Sequence, residues 1–85
     1  MIYDYTIHQD NSPKVFKDTC ELISKAFPDA EKAKLLVDVD GSTIQMFTYN
    51  GNDIDVYDDY DVGAVFVKSQ IPLEIFSEYP LIKRQ

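Results

Sequence analysis

The chain has 85 residues, a length that suits one domain and excludes a large multidomain enzyme. Fifteen acidic and eight basic residues give a net charge of −7 and an isoelectric point near 4.4. This charge excludes an ordinary nucleic-acid-binding protein, which needs an excess of Lys and Arg to neutralise phosphates. Because 45% of the residues are hydrophobic, we expect a folded globular domain over residues 1–85.

The first elements in chain order are a strand and a helix. Apolar and polar residues nearly alternate over residues 1–9, which predicts a strand. Ser12 can then accept a hydrogen bond from the first helical turn, and Pro13 stands where its missing N–H has no consequence. Apolar residues follow at helical spacing as far as Phe27, and Pro28 ends the predicted helix.

Strands dominate the rest of the chain. Residues 34–40, 42–49 and 52–57 predict three strands joined at Asp40-Gly41 and Asn50-Gly51, dipeptides typical of hairpin turns. Residues 62–68 are nearly all apolar and predict a central strand, and residues 71–80 predict a short C-terminal helix. We therefore expect an α+β domain of order β-α-β-β-β-β-α. Its sheet is mostly antiparallel, and one main helix packs on one face.

The lengths of the two hairpin loops decide which side chains face the core. A two-residue turn at Asp40-Gly41 would pair Val37 with Ile44. At Asn50-Gly51, a three-residue loop would bring Ile54 and Val56 to the same face, whereas a two-residue loop would place them opposite. Burial of apolar surface favours the three-residue loop. The predicted core is Leu35, Val37, Val39, Ile44, Met46, Ile54, Val56, Val65 and Val67 against Phe16, Cys20, Ile23 and Phe27.

The acidic residues are concentrated in the central strands. Residues 35–67 contain seven aspartates and no Lys or Arg, and elsewhere eight acids balance eight bases. With the expected loops, many of these aspartates share the outer face of the sheet with aromatic residues, an arrangement typical of a binding surface. The predicted partner-binding residues are Asp38, Phe47, Tyr49, Asp53, Asp55, Tyr57, Asp58, Asp59, Tyr60 and Asp61.

Motifs for chemistry are weak. The run Asp38-Val39-Asp40-Gly41 resembles the nucleophile loop of aspartyl phosphotransferase-type hydrolases, but those sites need a much larger sheet, a Lys and Mg²⁺. The flanking alternation indicates a hairpin turn instead. The spacing of an EF-hand is absent. The single His8 could act as a base only with an Asp beside it in space, and we interpret it as an imidazole at the end of a strand. The single Cys20 has no activating base nearby in sequence. We predict no catalytic residue, no cofactor and no metal.

These observations favour a non-enzymatic acidic binding or inhibitor protein that docks on a basic protein such as a nucleic-acid-binding protein or a nuclease. It could mimic nucleic acid, as anti-defence inhibitors of phages do, or act as an immunity-type protein against a nuclease toxin. The alternative is a small metal-dependent enzyme or accessory subunit that uses Asp pairs, in which several of Asp38, Asp40, Asp53 and Asp55 would converge within about 5 Å. A homodimer through Leu36, Phe47 and Tyr49 is a third possibility.

The expected location is the cytoplasm, or the host cytoplasm if a phage encodes the protein. The N-terminal residues have neither the basic nor the apolar region of a signal peptide. Apolar runs in the chain are also shorter than a membrane span. We expect binding neither to a membrane nor directly to nucleic acid.

Overall fold

A computed structural model describes residues 2–76 and 82–84. Within those residues, one α-helix and seven strand segments form an α+β domain, and every strand pair is antiparallel. The predicted fold class is confirmed. The elements are β1 (Tyr3–His8), α1 (Pro13–Ala26), β2 (Glu31–Lys32), β3 (Leu36–Val37), β4 (Thr43–Tyr49), β5 (Asn52–Asp59), β6 (Ala64–Ser69), a 3₁₀ turn (Glu74–Phe76) and β7 (Ile82–Arg84).

The sheet places the predicted central strand near its middle. Segments β2 and β3 both pair with one edge of β4, and the order continues through β5, β6, β1 and β7. The predicted C-terminal helix is a 3₁₀ turn of three residues, and Tyr79 and Pro80 lie outside the described part of the chain. Strand β7 was not predicted, because three residues are too few to show an alternating pattern.

Helix α1 begins and packs as its sequence predicts. The Ser12 hydroxyl accepts a hydrogen bond from the Val15 amide at 3.2 Å, and Pro13 is the first helical residue. Phe16, Cys20 and Ile23 are buried against one face of the sheet, where they join Ile54, Val56, Val65 and Val67. We call this side of the sheet the helix face.

The two hairpin loops have the reverse of the predicted lengths. In the first hairpin, the Asp38 amide donates to the Ser42 carbonyl and the Gly41 amide donates to the Asp38 carbonyl, which defines a three-residue loop over 39–41. In the second, Tyr49 pairs with Asn52, so Asn50-Gly51 is a two-residue turn with both φ angles positive. Both predicted loop lengths are wrong.

Strand β4 is consequently turned over relative to the prediction. Phe47 pairs with Ile54 and is buried on the helix face, whereas Ile44 and Met46 lie on the opposite side. Both faces of β4 carry apolar side chains, so its alternation is ambiguous. The aromatic side chains decide the outcome, because each offers 150–250 Å² for burial. Tyr49 packs against Phe27 with the ring centroids 4.8 Å apart.

The segment that precedes β4 lies at the sheet edge and outside the core. Leu35, Val37 and Val39 are exposed, although all three were predicted to be buried. Three residues, 33–35, face two residues of β4, so the edge contains a bulge between β2 and β3. The buried Gln45 amide group donates to the Ala33 carbonyl at 2.6 Å and holds this irregular segment in place.

Candidate functional site

The side of the sheet opposite α1 carries four of the ten predicted partner-binding residues: Asp53, Asp55, Tyr57 and Asp59. Asp53, Asp55 and Tyr57 alternate along β5 with the buried Ile54 and Val56, so their side chains lie on that opposite side. On this side Met46, Asp53 and Lys68 are exposed, Tyr57 is half-buried and Phe66 is buried at 9% exposure. We call this side the open face, and its members on β1, β4, β5 and β6 are Asp4, Thr6, Ile44, Met46, Thr48, Asp53, Asp55, Tyr57, Asp59, Phe66 and Lys68.

Strand pairing adds two charged residues that the sequence analysis missed. Asp55 pairs with Lys68 on β6, and Lys68 pairs with Asp4 on β1, so the three charges form one row across the sheet. Lys68 makes no ion pair within 4.0 Å among the described residues, and its ammonium lies 5.9 Å from the centroid of the Phe66 ring. The alternation Tyr3-Asp4-Tyr5 signals that Asp4 points away from the core. Its place in this row depends on the strand order, which alternation does not reveal.

An aromatic pair forms the centre of the open face. The Tyr57 and Phe66 rings stack with their centroids 4.7 Å apart and an angle of 10° between their planes. Burial raises the pKa of Tyr57, and the nearby carboxylates of Asp55, Asp4 and Asp59 raise it further. Because the three carboxylates oppose ionisation of the Tyr57 hydroxyl, the electrostatic potential around the two stacked rings is negative.

The electrostatic character of the open face is also visible at Asp55. This carboxyl group is partly buried, and burial raises its pKa above the ordinary value of 3.8. The neighbouring Asp53, on the same side of the strand and about 6.6 Å along it, raises the pKa further. Burial and Asp53 together disfavour the ionised form of Asp55.

A second group of carboxylates lies at the turn end of the sheet. Oxygen atoms of Asp40, Asp59 and Asp61 lie within 4.8 Å of one another and could offer oxygen ligands to a hard cation. Local hydrogen bonds already use some of these oxygens. Asp40 accepts from the Ser42 amide at 2.9 Å, and Asp59 accepts from the Asp61 amide at 2.8 Å. Hydrogen bonds from Ser42 lower the pKa of Asp40.

This second group is not the one that the metal-enzyme alternative requires. Of the four aspartates named for that alternative, only Asp40 belongs to it. Asp55 lies four residues from Asp59 along an extended strand, a distance of about 13 Å, and Asp53 lies farther still. Asp53 and Asp55 therefore do not converge with Asp40, as that alternative would require.

Three predicted binding residues lie on the helix face instead of the outer face. Phe47 is 1% exposed and Tyr49 packs beside Phe27, so a dimer patch made of Leu36, Phe47 and Tyr49 does not exist. Asp58 is 3% exposed and accepts a hydrogen bond from the Asn11 side chain at 2.8 Å. The remaining predicted residues, Asp38, Tyr60 and Asp61, are exposed at the turn end.

Comparisons with protein-family models, with curated proteins and with solved structures returned no match to this chain. Among the described residues, no helix combines the length and the apolar character needed to cross a membrane.

Proposed function

We propose that this protein is a non-enzymatic binding protein whose open face docks on a basic surface of another protein. The observation that carries the proposal is the contrast between the two faces of the sheet. The helix face is buried under α1, whereas the open face presents Asp4, Asp53, Asp55 and Asp59 around the stacked Tyr57 and Phe66 rings. Carboxylates around an aromatic centre suit a partner that supplies Lys or Arg side chains.

The partner class follows from the spacing of the charges. Asp53 and Asp55 are about 6.6 Å apart along β5, and Asp4 lies two strands from Asp55, about 9–10 Å away. Lys68 lies between Asp55 and Asp4 on β6, so the uninterrupted negative row is that of Asp53, Asp55 and Asp59 along β5. Carboxylates spaced along one strand offer a nucleic-acid-binding protein or a nuclease what it normally finds in phosphates. We therefore propose inhibition by mimicry of nucleic acid in the cytoplasm. An immunity-type inhibitor of a nuclease toxin would use the same face.

The test compares three immobilised proteins in capture from a cell lysate: wild type, Asp53→Asn/Asp55→Asn, and Asp10→Asn/Asp29→Asn. The two double variants lose the same charge, and all four positions are outside the buried core. Because the carboxylate of Asp55 is disfavoured in the fold, its replacement by Asn is not expected to unfold the protein.

We expect wild type and Asp10→Asn/Asp29→Asn to retain the same basic nucleic-acid-binding proteins, and Asp53→Asn/Asp55→Asn to lose them. Duplex DNA added in excess should release those partners, since it competes for the same basic surface. Retention of the same proteins by all three baits would contradict the docking face. Partners that DNA does not release would contradict mimicry while leaving the docking face supported.

A further inference from the structure

The free edge of the sheet beside β4 carries an unusual set of exposed side chains. Residues 31–40 are all exposed, and they include Leu35, Leu36, Val37 and Val39. An exposed apolar edge strand can pair with another strand, and natural proteins limit this with charged side chains, proline or bulges on the edge, or by covering it. Among the described residues, nothing pairs with the outer side of β2 or β3.

The charges along this edge are ordered. Residues 32–40 read Lys-Ala-Lys-Leu-Leu-Val-Asp-Val-Asp, with two bases before the apolar centre and two acids after it. When two copies of such a strand run antiparallel about Leu36, Lys34 of each copy stands opposite Asp38 of the other, and Leu35 stands opposite Val37. Neither Lys34 nor Asp38 makes an ion pair within the described residues. The edge is therefore complementary to itself in charge and in apolar character.

The backbone is oriented correctly for this pairing. The Asp38 amide donates inward to Ser42, and Leu36 pairs with Ile44 two residues earlier. Since hydrogen-bonding groups alternate sides along a strand, the amide and carbonyl groups of Val37 point outward. The Leu35 carbonyl also points outward, because it shares a planar peptide group with the inward-pointing Leu36 amide. In the two-copy register Leu35 and Val37 face each other, so the Val37 amide of each copy can donate to the Leu35 carbonyl of the other.

We propose that the occupant of this edge is a second copy of the same chain, which joins two sheets into one across a two-fold axis at Leu36. An axis that relates adjacent antiparallel strands stands perpendicular to the sheet, so the two open faces lie on the same side. Leu36 and its neighbour Ile44 belong to that side, and they add an apolar strip between the two acidic regions. The pairing is independent of the docking function and holds whether or not the open face binds a partner.

The first test exchanges one charge at a time and follows mass by sedimentation equilibrium. Wild type should associate to twice its monomer mass of 9.8 kDa as its concentration rises. In a dimer of Lys34→Glu, Glu stands opposite Asp38 at both contacts, and in a dimer of Asp38→Lys, Lys stands opposite Lys34 at both contacts. Each variant alone should therefore associate about tenfold more weakly than wild type. An equimolar mixture of the two restores both opposite-charge pairs and should recover association.

Lys25→Glu is the matched control, since Lys25 is an exposed lysine in the last turn of α1 and lies outside the paired segment 32–40. It should dimerise like wild type. A wild type that stays at 9.8 kDa up to about 1 mM would overturn the proposal. So would a mixture that fails to associate more strongly than its separate components, because a folding defect in one variant would not produce recovery.

A second test reads the register directly. In the proposed dimer, Leu36 of one copy stands opposite Leu36 of the other, and the two residues share no backbone hydrogen bond. The Cα atoms of such a pair are about 4.5 Å apart, a distance that a disulfide can span. Leu36→Cys should form a disulfide-linked dimer on mild oxidation. Val39→Cys, which is more exposed but stands opposite Ala33, should form much less. Equal cross-linking of the two variants would overturn the proposed register. The native Cys20 is buried and is therefore not expected to cross-link in either variant.

Discussion

Asp55 shows at the scale of one residue what the open face does to a carboxylate. Burial and Asp53 raise its pKa, so the folded protein binds this proton more tightly than the unfolded chain does. Its contribution to stability therefore falls as pH rises through 3.8 towards the raised value. We expect Asp55→Asn to be more stable than wild type at pH 7, with the gain vanishing well below pH 3.8. Urea unfolding of both proteins at pH 7 and well below pH 3.8 measures this difference in stability. Equal stability of the variant and wild type at pH 7 would contradict the prediction.

Gly41 is required by two separate constraints. Its φ is +89°, and a Cβ atom there would lie 2.9 Å from the Tyr60 ring. At Gly51, where φ is +77°, a Cβ would meet nothing within 4 Å. We expect Gly51→Ala to lose about 1–2 kcal/mol of stability from the left-handed backbone alone, and Gly41→Ala to lose more.

Thermal unfolding of both glycine variants, with and without Tyr60→Ala, separates the two constraints at Gly41. Removing the ring should reduce the effect of Gly41→Ala towards that of Gly51→Ala. If Tyr60→Ala leaves the difference unchanged, the close approach of the ring is not its cause.

At the scale of elements, Gln45 connects the irregular edge to the sheet. Its amide donates to the Ala33 and Met46 carbonyls from a buried position. Gln45→Leu removes the donor to these two carbonyls, and we expect it to lower the free energy of unfolding by about 1–3 kcal/mol. Hydrogen exchange should become faster at the Ala33 amide, which donates to the Met46 carbonyl. Exchange at the Val67 amide in the sheet centre is the internal reference. Equal acceleration at both amides would mean global loss of stability instead of local release of the edge.

Elements with one apolar face were predictable from the sequence, and elements with two were not. The helix could be placed because Phe16, Cys20 and Ile23 recur on one face between Ser12 and Pro28. Strand β4 has Ile44 and Met46 on one side and Phe47 and Tyr49 on the other, so alternation alone does not orient it. Both Asp-Gly and Asn-Gly fit two-residue and three-residue loops, which left the loop lengths open to the wrong choice.

The placement of Asp53, Asp55 and Tyr57 on one side of β5 did not depend on the loop lengths that were predicted wrongly. On β5, Ile54 and Val56 can be buried only if Asp53, Asp55 and Tyr57 point the other way, whichever loop precedes the strand. Asp4 and Lys68 reach the same row through strand order, a long-range property that local patterns do not contain. Asp58 was misplaced because its buried hydrogen bond comes from Asn11, which is distant in sequence.

At the scale of the whole molecule, uncompensated charge should make stability depend on salt. The chain carries −7, and four carboxylates share the open face with Lys68 alone among its described bases. Because the screening length falls from about 10 Å at 0.1 M to 3 Å at 1 M, added NaCl should raise the melting temperature. The rise should be smaller for Asp53→Asn/Asp55→Asn than for Asp10→Asn/Asp29→Asn. An equal rise in melting temperature for the two double variants would mean that the repulsion does not arise from Asp53 and Asp55.

The central claim is that the open face, and not another surface, contacts a basic partner. The most direct measurement is the NMR spectrum of the isotope-labelled protein titrated with a partner that wild type captures and Asp53→Asn/Asp55→Asn does not. We predict that the signals of the Met46 methyl group and the Tyr57 ring on the open face change, while those of the Leu22 methyl groups on exposed α1 do not. Changes at Leu22 with unchanged Met46 and Tyr57 signals would contradict the docking face.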